Sequence, residues 1–405
     1  MGFDQERLDR IAGWMQSYVD TRKYPGSSVL IHQGGKEVYF HATGSRNIEA
    51  GLPFERDTVA RIYSMTKPVT TVAAMILVEK GLIHLDAPVS DFIPGFANAR
   101  ALVPGASSID QTEPCLVPTL HHLMTHTSGL SYPFNPGILP EAMAEDDLVF
   151  GPKHPSLAAM ADKVAELPLA FYPGSCWEYS VGIDILGRVI EVVSGEPLDA
   201  FLRREILDPL DMVETAFTVP QGAGDRFAAL YTPLDDNPMA LNEMQFGADT
   251  LRQTDKPERS PYQTTTMRSG GGGLVGTIDD YMAFAEMLRR GGICDGGQIL
   301  GPSTLDFMMR NHLPGDIASL GPSSFAEQPM HGMGFGLGGS VVLDPGRARC
   351  PGSVGDFSWG GMASTFFWVN RARDMSVVFF TQLSPSSAYP SRSQLKALVH
   401  AALTD

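Results

Sequence analysis

The chain has 405 residues, 43% of them hydrophobic and 19% charged, which gives enough apolar material for a sizeable core and too little charge for a disordered chain. With 30 basic against 46 acidic side chains the formal charge is −16, which repels phosphate backbones and anionic lipid surfaces and argues against nucleic-acid and membrane partners. No apolar run approaches the roughly 18 residues needed to span a bilayer, Val72 to Val78 being among the longest.

The opening MGFDQERLDRIAGWMQ is charged from its fourth residue and shows no apolar stretch of the secretory type. Cys115, Cys176, Cys294 and Cys350 are dispersed, without a CxxC pair, so zinc ribbons and disulfide frameworks are not expected and a reducing, cytoplasmic setting is. Leu8, Ile11, Met15 and Tyr18 recur at helical spacing and predict an amphipathic helix ending before Pro25 and Gly26. Ser28 to His32 and Glu37 to His41 then read as two strands around the turn Gln33-Gly34-Gly35-Lys36.

The middle of the chain carries helical patterns broken by Gly and Pro, among them Ile183 to Val193 and Tyr281 to Leu288. Ser364 to Val369 and Met375 to Thr381 predict a second hairpin around Asn370 to Asp374, and Ser391 to Leu403 predicts a closing helix. Strands at both ends with helices between them predict an α+β fold. Residues 1–90 and 330–405 would form an antiparallel sheet flanked by helices, and residues 91–329 a mainly helical insertion, with the active site between the two.

Ser64-Met65-Thr66-Lys67 places a hydroxyl and an amine three residues apart, which on a helix puts both on one face. Pro68 is tolerated only in a first turn, so Ser64 falls near a helix N-terminus, with Lys67 in a distorted turn because it precedes proline. The apolar stripe Val69, Val72, Ala73, Ile76 and Leu77 would bury the lysine's surroundings and lower its pKa. The same spacing at Ser393 and Lys396 reads as solvated polar residues on the closing helix.

Two GxGxxG runs, Gly271 to Gly276 and Gly334 to Gly339, lack the strand–turn–helix setting of a nucleotide loop. His122 and His126 are four apart but precede Thr127-Ser128-Gly129 without an HExxH, and read as capping or packing residues; no metal or cofactor is expected. No GxSxG elbow is present.

In its Ile62-Tyr63-Ser64-Met65-Thr66-Lys67 setting the motif resembles that of the serine β-lactamase and penicillin-binding superfamily. LIHLDAPV at 82–89, LHHLMTHTSGL at 120–130, YPGSCWEYSVGIDIL at 172–186, ILDPLDMVET at 206–215, SGGGGLVGTIDD at 269–280 and Gly334 to Gly338 follow in the order seen in class C-like members. The chain is most similar to family VIII carboxylesterases and the statin side-chain acyltransferase. The second motif stands as Tyr179-Ser180-Val181 and the third as Trp359-Gly360-Gly361, where β-lactamases carry Tyr-Xaa-Asn and Lys-Thr-Gly. An indole in place of the ammonium would leave an apolar wall and favour neutral esters.

The resemblance implies Ser64 as nucleophile, Lys67 and Tyr179 as its proton carriers, the backbone N–H groups of Ser64 and Met362 as oxyanion donors, and Trp359, Gly360 and Gly361 as substrate contacts. The two glycines would let an edge strand approach the acyl group. Tyr132, Phe134 and Phe150 could wall the acyl pocket. The expected activity is hydrolysis of short-chain carboxylic esters through an acyl-enzyme, with a small-molecule ester as the only partner named and the oligomeric state open. The alternatives are a β-lactamase, a D-amino-acid peptidase, an acyltransferase or a non-catalytic acyl- or peptidoglycan-binding protein.

Overall fold

The computed structural model describes residues 2–148, 151–233 and 251–404. Its N-terminal amphipathic segment forms α1 (Arg10–Asp20), with Ile11, Met15 and Tyr18 buried. β1 (Gly26–Gln33) and β2 (Lys36–Asn47) pair antiparallel, and β3 (Leu52–Pro53) adds to the edge. From the other end of the chain come β4 (Met333–Phe335), β5 (Ser340–Val342), β6 (Phe357–Gly360), β7 (Phe366–Asn370) and β8 (Met375–Thr381). Together they make one antiparallel sheet in the order β4-β5-β6-β7-β8-β1-β2-β3, so the two predicted hairpins meet where β8 pairs with β1.

Alternation of side chains across each strand divides the core in two. Val29, Ile31, Val377 and Phe379 face α1 and the closing helix, whose core includes Leu395 and Val399. Leu30, Val378 and Phe380 point the other way, into the larger core. That second face is covered by a helix from Ile278 to Arg289, which packs against β8, β7 and β1. It lies within the 91–329 stretch expected to form a separate helical unit, yet belongs to the sheet. Its buried Tyr281, Phe284, Ala285 and Leu288 face apolar strand residues, and burying them there removes them from water.

Ser64 sits in a 3₁₀ turn (Tyr63–Met65) that runs into α2 (Thr66–Glu79), with Lys67 and Pro68 in its first turn. All of α2 from Thr66 to Leu77 is buried, as befits a helix apolar nearly all round and packed against α3 (Gly182–Ser194). Naming the Ile278–Arg289 helix α4 and the closing helix Ser391–Ala402 α5 completes the elements that frame the site. Among the described residues no helix is long and apolar enough to cross a membrane.

Candidate active site

Tyr63 has φ 42°, a left-handed conformation uncommon for an aromatic residue, and so turns the chain sharply just before Ser64. The turn is held from three sides. Tyr281 of α4 donates its hydroxyl proton to the Met65 carbonyl (2.9 Å), Leu274 N–H donates to Thr66 Oγ1 (3.1 Å), and Ile62 N–H donates to the Leu274 carbonyl (3.2 Å). The first glycine-rich run thus braces the start of α2 instead of cradling a phosphate. The second lies between β4 and β5 of the sheet.

Three groups from two distant segments, Ser64 with Lys67 and Tyr179, converge here. Tyr179 O–H donates to Ser64 Oγ at 2.6 Å, and Lys67 Nζ donates to the same oxygen at 3.3 Å. Lys67 also donates to Tyr132 Oη (2.9 Å) and the Gly271 carbonyl (2.7 Å), and its Nζ lies 4.5 Å from the centre of the Tyr179 ring. Burial pulls the Lys67 pKa down to about 7, with the nearby Asp184 carboxylate opposing the shift. Burial raises the Tyr179 phenol, against the hydrogen bond to Ser64, so it stays protonated at neutral pH.

Asp184 is a site residue that motif reading did not single out. It lies in the first turn of α3, wholly buried, where Oδ1 accepts from Ser269 Oγ (2.5 Å) and Gly271 N–H (3.0 Å) while Oδ2 has no partner. Burial raises its pKa and the Lys67 charge lowers it, so the two groups titrate as a pair. Its position five residues after Tyr179, one helical turn into an otherwise apolar segment, is the sequence signal that could have found it.

The tyrosine is positioned by its own neighbours. Asn135 Nδ2 donates to the Tyr179 carbonyl (2.8 Å), and Ser180 N–H reaches His126 Nδ1 (3.3 Å). His126 packs its ring 4.8 Å from that of Tyr179, and burial holds it neutral. His122 accepts from Thr119 N–H (3.2 Å) in a capping box. Both histidines are therefore brace and cap, as expected. Among the described residues no group of three or more His, Cys, Asp or Glu side chains could hold a metal ion.

Trp359, Gly360, Gly361 and Met362 line the same cleft as Ser64 and Tyr179, together with Phe325, Met330, Met333 and Phe366. The glycines are required by contacts within the protein itself. β6 lies inside the sheet, not at its edge, and a Cβ on Gly361 would sit 2.3 Å from the Ile62 carbonyl oxygen, one on Gly360 2.6 Å from Arg392 Nη2. The glycines let the end of β6 and the residue after it approach protein backbone and a guanidinium.

Nor is the wall free of cations, because Arg392 and Lys396 of α5 reach the cleft. Lys396, expected in solvent, is buried with its Nζ 5.6 Å from the Trp368 ring centre; the sheet face beneath α5 covers the lysine stem. Tyr132 and Phe134, expected to wall the acyl pocket, stack at 4.8 Å beside Tyr179 but are not among the residues lining the cleft around Ser64; Tyr132 is instead a hydrogen-bond partner of Lys67. Phe150, the third aromatic expected there, lies outside the described residues.

The family model described as Beta-lactamase matches residues 11–401, nearly the whole chain. The chain belongs to that family. Esterase EstB of Burkholderia gladioli is 30% identical over 367 residues, covering 89% of this chain and 86% of its own. The lovastatin esterase of Penicillium rubens is 30% identical over 379 residues, covering 89% of each. The solved structure of EstCE1, titled a hydrolase with promiscuous acyltransferase activity, superposes with a TM-score of 0.80 at 28% identity, covering 98% of this chain and 99% of that one. The β-lactamase-like α+β fold and the likeness to esterase and acyltransferase members of the family agree with the sequence reading.

Proposed function

We propose that this member of the β-lactamase family is a serine carboxylesterase that cleaves short-chain esters through an acyl-enzyme on Ser64. The observation that carries the reading is the convergence of Tyr179 Oη (2.6 Å) and Lys67 Nζ (3.3 Å) on Ser64 Oγ. A hydroxyl needs a base to attack a carbonyl, and an amine brought to about 7 is half neutral at neutral pH. The esterase relatives support the substrate class.

In the first half-reaction Ser64 Oγ attacks the ester carbonyl while its proton passes to Lys67 Nζ. The oxyanion takes hydrogen bonds from the backbone N–H groups of Ser64 and Met362, donors of a kind worth roughly 2.7–4 kcal/mol each. The carbon–oxygen bond to the alcohol breaks as Tyr179 gives its phenolic proton to the departing oxygen. The resulting phenolate is stabilised by the Lys67 ammonium beside its ring. A water then loses a proton to the phenolate and attacks the acyl carbon, and Ser64 leaves with the proton held by Lys67. Both carriers return to their starting states.

Two features favour short, neutral acyl groups. The cleft's free volume is about 40 Å³, which is room for about three waters at roughly 10–15 Å³ each. The cation nearest Gly360 is neutralised, since Arg392 pairs with Glu327 at 3.0 Å. Turnover of p-nitrophenyl butyrate that exceeds turnover of nitrocefin, and disappears in Ser64→Ala, is the expected result. Faster nitrocefin hydrolysis would make the protein a β-lactamase. A second reading, transfer of the acyl group to an added alcohol, is supported by EstCE1 and is tested by a transfer product that grows at the expense of free acid.

A further inference from the structure

The paired segments Ser324–Phe325 and Gln328–Pro329 form a hairpin between two cavities. On one side is the cleft of about 40 Å³ that holds Ser64, and on the other a cavity of about 490 Å³. Ala326, Gln328, Met333 and Lys396 line both. Phe325 lies against the catalytic side, stacked on Trp359 with ring centres 6.0 Å apart and planes at 11°, and 4.9 Å from Tyr179. It is one wall of the cleft that holds Ser64.

Beside this packing, the hairpin carries a buried ion pair. Glu327, at the hairpin tip, contacts Arg392 of α5 at 3.0 Å, with side-chain exposures of 2% and 10%. Arg392 lies close under Gly360, so the pair ties the tip of the hairpin to α5 beside the end of β6. Glu327 Oε1 has no hydrogen-bond partner, and burial raises the carboxyl pKa while Arg392 lowers it. Packing alone would hold a hairpin tip more cheaply than two desolvated charges with an oxygen left unpaired. The pair adds a directional contact to the packing of Phe325 and Ala326, and losing one partner leaves the other's charge buried and unpaired.

We propose that the Glu327–Arg392 pair latches this hairpin so that Phe325 closes the end of the acyl pocket. Glu327 is then a positioning residue and Phe325 a specificity-determining one: latched, they restrict the site to short acyl chains, and released, they admit a longer chain into the larger cavity. The inference rests on the ester-cleaving reading of Ser64 and deepens it.

The test compares kcat/KM for p-nitrophenyl butyrate and octanoate in the wild type, Glu327→Gln and Phe325→Ala, with hydrogen exchange of residues 320–334. The octanoate-to-butyrate ratio should rise at least about tenfold in each variant through a gain on octanoate, which a merely weakened protein does not show. Exchange in the hairpin should quicken in Glu327→Gln. Ratios within about twofold of wild type in both variants would overturn the proposal. Movement in Phe325→Ala alone, or unchanged exchange in Glu327→Gln, would overturn the latch. If the wild type cleaved no ester, the reading of the site and the selectivity claim would fall together, while exchange would still decide the latch.

Discussion

A lysine ammonium has no lone pair to offer, so in the proposed mechanism Lys67 takes the Ser64 proton only in its neutral form, and that form becomes dominant above a pKa of about 7. Esterase kcat/KM should therefore climb with pH and level off, with an inflection near 7. Because the Asp184 charge raises the Lys67 pKa, Asp184→Asn should move that inflection to lower pH, and an inflection that stayed put would remove Asp184 from the proton network. Lys67→Ala and Tyr179→Phe should each lower kcat by roughly 10²- to 10⁴-fold with the fold intact by circular dichroism. Ser64, Lys67 and Tyr179 were legible because each stands in a short motif. Asp184, Glu327 and the role of Tyr132 were not, because their partners at Ser269, Arg392 and Lys67 lie 65 or more positions away and meet only in the folded chain.

The turn that carries Ser64 depends on elements outside the proposed chemistry. α4 packs on the sheet and from there sends the Tyr281 hydroxyl to the Met65 carbonyl, next to Ser64. Tyr281→Phe should remove this second hydrogen bond to a carbonyl that also caps α2 and lower stability by about 0.5–1.5 kcal/mol in urea unfolding, with a further loss of activity as the turn loosens. Gly361→Ala should be worse, because the added methyl meets a carbonyl oxygen at 2.3 Å and β6 must retreat from the turn. Gly224→Ala, where nothing lies within 4 Å, is the control and should be nearly silent. Sequence pattern located α4 but not its packing partner, since an apolar face says that a helix is covered and not by what. The same limit applies to Lys396: periodicity assigned it to a polar face, and the sheet covered it.

Across the whole chain, the two ends build the scaffold on which residues from the middle are arranged. α1 and α5 lie on the same sheet face and are stitched by Trp14 Nε1 and Tyr18 Oη donating to Gln394 Oε1 (2.9 and 2.8 Å), and Tyr24 in the loop after α1 donates its hydroxyl proton to Ser391 Oγ (2.6 Å). Deleting residues 1–20 should expose that face and shift the protein into aggregates on size-exclusion chromatography. The alternation of strand residues at both ends made this sheet readable, whereas the cleft between it and the helices depends on long-range packing. The central claim is that Ser64 carries the acyl group. Acid-quenching the enzyme during turnover of p-nitrophenyl butyrate and mapping the peptides by mass spectrometry should find a butyryl adduct on the peptide containing Ser64, absent in Ser64→Ala. Turnover with no adduct there, or with an adduct on another residue, would contradict it.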